Sequence, residues 1–323
     1  MQEPAWTDAL QARASIRPHL HRTPLVKSDS LARLTGLNLR LKLENLQKTG
    51  SFKPRGALHH IASQPDATRR RGVITISAGN HAQGVAYAAS VLGIPATVVM
   101  PAQASRTKAE AARGYGAEVI LHGDVAEAFQ KVRELEQERN LHFVHPFDDP
   151  FVIAGQATVG MEIVEDFTQV DVVVAGIGGG GLISGVSWAL KELQPAARVI
   201  GVEPEGADSM FRSRRQGSPA RLEKIQTIAD GLAAPFAGEL NFRWVQRYVD
   251  DLVRVTDAEI VEAMKLLLER CKTVAEPAGA AALAAVLSGR VSFPAGTGVC
   301  CVVSGGNIGA GQLAELFKPA DAS

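Results

Sequence analysis

The sequence predicts an α/β protein of two lobes, each built on a parallel sheet with helices on both faces. Three observations predict it. From about residue 73 onward, short apolar runs alternate with amphipathic helical patterns. Those runs are continuous in their apolar character, the mark of strands buried on both faces. The strand–helix units fall into two series, and 323 residues are enough for two cores.

The first series opens with VITIS (Val73 to Ser77) and the small-residue helix HAQGVAYAASVLG. The strand IPATVVMP, the helix TKAEAARGYG, the strand AEVILHG, the helix DVAEAFQKVRELEQERN and the strand LHFVHP follow. The second series reads VDVVVAGIG, GLISGVSWALKEL, ARVIGVEP, DLVRVTD, AEIVEAMKLLLERC and GVCCVVSGG. Each strand-to-helix junction puts a loop at the carboxyl end of a parallel strand, where open α/β sheets bind ligands. The stretch from Phe211 to Arg247 is the least periodic and reads as helix and loop.

Composition narrows the function classes. Thirty-four basic residues balance thirty-four acidic ones, so no net field recruits nucleic acid or an anionic membrane. The run RRRG (Arg69 to Gly72) reads as a solvated helix end ahead of a strand. No apolar run approaches the ~18 residues of a membrane span, and the N-terminus shows no basic leader followed by an apolar stretch. Cys271, Cys300 and Cys301 are the only cysteines; the adjacent pair alternates faces of a strand, a poor geometry for a bridge. All three read as reduced thiols of a cytoplasmic protein.

The chemistry sits at the junctions. In SFKPRGA, Lys53 lies between Phe52 and a Pro-Arg-Gly turn, and it reads either as a solvated lysine at a helix start or as the carrier of a covalent cofactor. In VVVAGIGGGGLISG, a strand runs straight into Gly178, Gly179, Gly180 and Gly181 and then a helix. Backbone N–H groups can converge there on an anion, aided by the helix dipole. A dinucleotide loop and a purely structural turn stay open at this run, whereas a Walker loop is excluded because Gly-Lys-Ser/Thr is missing. Ser77, Ala78, Gly79, Asn80 and His81 form a second ring of donors at a helix start, suited to a carboxylate. His81 there reads as structural or as an acid–base group. The last strand delivers Ser304 and then Gly305, Gly306 and Asn307; the serine either caps a helix or donates to a ring nitrogen. A phosphate site, a carboxylate site, a hydroxyl and a lysine together describe pyridoxal 5'-phosphate and an amino acid.

The stretches KTGSFKPRGA, SAGNHAQGVA, HPFDDPFVIAGQ, GIGGGGLISG, TIADGLA, EPAGAAALAA and VSGGN occur in this order over nearly the whole chain. In them the sequence resembles the threonine/serine dehydratase and serine racemase group of fold type II pyridoxal-phosphate enzymes. The resemblance implies a large cofactor-binding domain of residues 1–65 and 148–323, and a small domain of residues 66–147 that closes over the substrate. It implies that Lys53 holds the cofactor covalently and acts as the catalytic base. Asn80 would bond the cofactor's 3-oxygen, Gly178 to Gly181 with Leu182 would cradle the phosphate, and Ser304 would face the pyridine nitrogen. Phe52 would lie against the ring, Glu276 would sit near its edge, and Ser77 through His81 would hold the substrate carboxylate. A homodimer, or a homotetramer, is the implied assembly.

Two departures from the group's pattern refine the expectation. Racemases carry a second serine in SSGN, where this chain has Ala78, so dehydration of L-threonine and of L-serine is expected rather than racemisation. A larger β-hydroxy amino acid, such as a phenylserine or a hydroxyectoine derivative, is the alternative substrate, and a nucleotide-binding regulatory protein is the alternative outside enzymes. The second departure concerns a divalent cation, which racemase-like members bind through a pattern similar to EPEGADS. Here Glu203 and Ala207 keep their places while Ser209 stands where a carboxylate is needed, which weakens an oxygen-ligand site. No C-terminal regulatory domain is expected after LAELFKPADAS.

Overall fold

The computed structural model describes residues 3–104 and 106–318; the last residues of LAELFKPADAS fall outside them. Two sheets organise the chain. The larger has six strands in the order β1-β2-β10-β7-β8-β9: Leu25–Lys27 (β1), Asn38–Leu43 (β2), Val172–Gly176 (β7), Arg198–Pro204 (β8), Asp251–Val255 (β9) and Gly298–Val303 (β10). The smaller has four, in the order β5-β4-β3-β6: Val73–Ile76 (β3), Ala96–Met100 (β4), Glu118–Leu121 (β5) and His142–Phe143 (β6).

The smaller sheet is parallel throughout, as the continuous apolar runs require. The larger is parallel except at β1, which runs antiparallel to β2. The cause is local: the connection over residues 28–37 is shorter than the roughly dozen residues a parallel crossover needs. Neither β1 nor β2 belongs to the two strand series read from the sequence.

Helices cover both sheets. The six-stranded sheet has an apolar cluster on each face, and β10 divides its cysteines between them: Cys300 packs into one cluster and Cys301 into the other. Both thiols are buried and free, and burial pushes the Cys300 thiol up to about 12. The region from Phe211 to Arg247 resolves into a helix (Ser209–Gln216), irregular chain, a 3-10 turn (Asp230–Leu232) and a second helix (Glu239–Tyr248).

Two helices absent from the sequence-based reading set the geometry that matters. Pro150–Asp166 crosses the helix Lys53–Ala62 at Gly56 and Gly155. A Cβ on Gly155 would stand 2.5 Å from the Arg55 carbonyl oxygen, so only glycine permits this approach. Pro277–Leu287 is buried over nearly its whole length. No described helix is long and apolar enough to cross a membrane.

Candidate active site

The strand ends of both sheets converge on one cavity of about 340 Å³, within the ~300–1,000 Å³ typical of small-molecule sites. Lys53 reaches into it from the first turn of its helix, with Pro54 next, a residue whose missing N–H costs nothing there. The loop before it is pinned to the end of β10: Phe52 N–H donates to the Ser304 carbonyl (3.2 Å), and Ser51 bridges Gly305. Nζ of Lys53 donates to the Pro146 carbonyl at 2.9 Å. Burial lowers its amine to about 8, with Glu276 pulling the other way. The position favours the neutral amine twice over, because a helix N-terminus also disfavours a cation.

Facing the lysine is the glycine run. Gly180 adopts φ +104°, open to glycine alone at no steric cost, and no side chain caps the helix Gly181–Leu193 that follows. Among the described residues, none accepts from the N–H groups of Gly178 to Leu182. A Cβ on Gly178 would stand 3.2 Å from the Gly231 carbonyl oxygen, and one on Gly179 would run into the Phe147 ring. Asn241 holds the run from behind, donating to the carbonyls of Gly179 (3.1 Å) and Phe147 (3.0 Å).

Ser77, Ala78, Gly79, Asn80 and His81 line the same cavity, at the start of the helix Asn80–Val91. Ser77 Oγ accepts from Gly79 N–H at 3.1 Å. Asn80 is the hub of a short chain: its Nδ2 donates to Glu276 Oε1 (2.6 Å), and its Oδ1 accepts from Asn307 Nδ2 (2.8 Å). Glu276 is buried, which raises its carboxyl to about 7 against the bond from Asn80. His81 is buried beside Lys53; desolvation and that lysine's charge hold its imidazole well below the usual range, so it is neutral. Its Nε2 is 3.1 Å from the Val144 carbonyl and donates to it, which is the structural role. Ser304 Oγ lies at the cavity edge, 3.3 Å from the Ala278 carbonyl, and Phe52 stacks its ring 5.2 Å from Lys53 Nζ.

The cation candidates lie elsewhere. Glu203, Ala207 and Ser209 do not line the cavity. Glu203 is buried and spends both oxygens on backbone, accepting from Met210 (2.9 Å) and Phe211 (2.7 Å) N–H. Asp208 faces Arg212 and Arg254 instead. Among the described residues, no three His, Cys, Asp or Glu side chains are grouped to hold a metal ion.

A family model described as pyridoxal-phosphate dependent enzyme matches residues 16–305. The chain belongs to this family. Members similar to it include the L-threonine ammonia-lyase of Thermotoga maritima, 48% identical over 96% of this chain and 77% of that one. The catabolic L-threonine dehydratase of Staphylococcus aureus is 45% identical over 96% and 91% of the two chains. Among solved structures, maize serine racemase superposes with a TM-score of 0.94 at 37% identity, covering 97% of each chain. The T.th. threonine deaminase gives 0.90 at 42% identity, covering 98% and 100%. The family sets aside a non-catalytic nucleotide-binding protein.

The cavity fits the family's cofactor on its own terms. It offers an amine already biased toward the neutral, nucleophilic form, and a ring of backbone donors with no acceptor of their own. Two further side chains of this pyridoxal-phosphate enzyme were not picked out as site residues, although Asp230 lies in the stretch TIADGLA. Lys108 sits on an ordinary charged helix and Asp230 on the 3-10 turn, yet they meet across the cavity mouth at 3.6 Å. Among the described residues they are the one Lys/Arg–carboxylate pair joining residues 66–147 to the rest of the chain.

Proposed function

We propose that this enzyme eliminates the β-hydroxyl of L-threonine, and of L-serine, giving 2-oxobutyrate or pyruvate and ammonia. The observation that carries the reading is Lys53: a buried amine lowered to about 8 that faces an uncapped glycine cradle. The identities of 48% and 45% to an L-threonine ammonia-lyase and an L-threonine dehydratase support the substrate. Ala78 supports elimination over racemisation, because it offers no proton carrier on the face opposite Lys53.

Each side chain has a role in this reading. Lys53 would hold the cofactor, with Gly178 to Leu182 on its phosphate, Asn80 on its ring oxygen, and Ser304 at its ring nitrogen. Phe52 would pack against the ring and Glu276 near its edge. Bound pyridoxal phosphate supplies the electron sink that lets the bonds at Cα and Cβ break. Ser304, offering a hydroxyl rather than a carboxylate, would hold the ring nitrogen without enforcing its protonation, which would moderate the electron withdrawal the cofactor supplies. Backbone and side-chain donors from Ser77 to His81 would orient the substrate carboxylate. Lys53, freed by the substrate amine, would take the α-proton; near neutral pH its depressed basicity leaves a usable fraction neutral.

Residues 66–147, which carry the four-stranded sheet, would close on the body formed by 1–65 and 148–323 and exclude water. The working form in this reading is a cytoplasmic homodimer or homotetramer. The test is an absorbance spectrum of the purified protein, then assays of 2-oxo acid release from L-threonine, L-serine and L-threo-phenylserine. A yellow protein that yields 2-oxobutyrate supports the reading, and a yellow protein active on phenylserine alone moves the substrate to the bulkier class. A protein that stays colourless with added pyridoxal phosphate, or a Lys53→Ala variant that stays active, overturns it.

A further inference from the structure

The helix that presents Lys53 begins against the electrostatic preference of helices. Its first turn holds no acidic residue and carries Lys53 and Arg55, at the end where the dipole repels cations. Arg55 and Lys42 are both fully buried, an arrangement proteins avoid unless every charge is answered.

Here each is answered. Arg55 Nε and Nη2 donate to the two oxygens of Glu44, both at 2.8 Å. Nη1 and Nη2 donate to the two oxygens of Glu162 at 2.8 and 2.9 Å, and Nη1 donates to Thr158 Oγ1 at 3.1 Å. All five guanidinium donors are therefore used. Lys42 Nζ joins Glu162 (2.6 Å) and the Thr23 carbonyl (2.8 Å), and Thr23 Oγ1 donates to Glu44 at 2.5 Å. Two cations face two carboxylates, so the cluster is neutral. Burial works against the Arg55 charge, and Glu44 and Glu162 more than offset it.

Buried ion clusters are weak sources of stability, since well-packed apolar residues of the same volume do as well or better. A two-pronged guanidinium between two carboxylates does fix distance and angle. The segments fixed here are β2 with the turn after it (Lys42, Glu44), the Lys53 helix, and the Pro150–Asp166 helix (Thr158, Glu162). The last of these is entered from the loop whose Pro146 carbonyl receives the Lys53 amine.

We propose that Arg55 is a positioning residue for Lys53: the buried cluster Arg55–Glu44–Glu162–Lys42 holds the first turn of the lysine's helix in register with the cavity wall. This rests on the reading of Lys53 as the reactive amine. Arg55→Lys keeps the charge and removes the fork. Its expected result is a folded enzyme whose kcat falls about a hundredfold, the effect of a misplacement near 1 Å, with KM for the substrate little changed. A readout independent of turnover is competitive acetylation of the cofactor-free protein across neutral and alkaline pH, quantified at Lys53 by peptide mass spectrometry. The proposal expects the midpoint at Lys53 to move in Arg55→Lys while other lysines keep theirs.

A second pair of changes, Lys42→Met with Glu162→Gln, removes one charge of each sign and leaves Arg55 on Glu44. It is expected to shift kcat and the Lys53 midpoint in the same direction by a smaller factor. Folded variants with parental kcat and a parental Lys53 midpoint would overturn the proposal whatever their melting temperatures. Failure of both variants to fold would also overturn it, because the cluster would then serve stability alone. If Lys53→Ala remains active, the reading of the site fails separately from the role of Arg55, since the acetylation shift does not depend on turnover.

Discussion

Gly84 on the helix Asn80–Val91 packs directly against Lys53 and Pro54. A Cβ there would stand 3.0 Å from Lys53 Cβ, 3.1 Å from the Lys53 carbonyl carbon and 3.1 Å from Pro54 N. Two of the three contacts are backbone, so no flexible side-chain end can swing away. Carbon atoms pack best at about 3.5–4.0 Å, so Gly84→Ala must part the helices by about 0.5 Å. Overpacking costs about 1–3 kcal/mol, and alanine returns about 1 kcal/mol of helix propensity. The net is a loss of about 0–2 kcal/mol, a few degrees in melting temperature. The catalytic effect is expected to be larger than that loss implies. A misplacement of 1 Å costs about a hundredfold, so half of it costs about tenfold in kcat. Steady-state kinetics on L-threonine alongside thermal melts separate the two effects. Gly114→Ala, whose added Cβ meets nothing within 4 Å, is the control and is expected to leave kcat unchanged. A Gly84→Ala enzyme with parental kcat would refute the claim that this contact sets the lysine.

Glu276→Gln removes the negative charge that holds the Lys53 amine up, so in the cofactor-free protein the Lys53 acetylation midpoint is expected to fall below about 8; an unchanged or raised midpoint contradicts this. The same variant has a stability signature. The Glu276 carboxyl is raised from 4.5 to about 7 in the fold, so the native state holds more protons over that window and stability falls as pH rises through it; glutamine is expected to flatten that fall in melts across the window. Gly179→Ala drives a methyl into the Phe147 ring and is expected to weaken retention of pyridoxal phosphate on dialysis, with Phe147→Ala restoring it; unaltered retention in the single variant would show that the cradle has slack. Ala78→Ser is expected to raise D-serine formation from L-serine, and no gain would mean that something other than the missing hydroxyl blocks that face.

Much of this was readable from the chain alone, for reasons that differ by segment. The runs VVVAG and CCVVS are continuous because they lie inside a parallel sheet, and the glycine loop follows because a strand ends where a helix must begin without side chains. The strand NLRLKL was not readable, because its Arg and Lys mimic a solvent face; Lys42 is in fact buried, and its partner Glu162 is distant in sequence. The helices PFVIAGQATVGMEIVED and PAGAAALAAVL are buried on nearly all sides, so they lack the apolar stripe that marks a surface helix. Glu203 could be read as a cation ligand only through the resemblance of EPEGADS to a racemase pattern. Its backbone partners Met210 and Phe211 emerge only once the following helix folds back over it. Arg55 stood in plain view beside Lys53, but nothing local reveals that its carboxylates come from two other elements.

The position of β10 has a consequence for how the enzyme is made. It lies in the middle of the large sheet, between β2 and β7, although it is the last of the sheet's strands to be synthesised. Until it inserts, the sheet is two fragments, one from early in the chain and one from much later in it. Its end also supplies the Ser304 carbonyl that receives Phe52 N–H and the Gly305 that bridges Ser51. In a nascent chain the contacts that pin the loop before Lys53 to this strand can form only after β10 has been made. The large sheet is thus joined, and the loop before Lys53 pinned, by the same late strand.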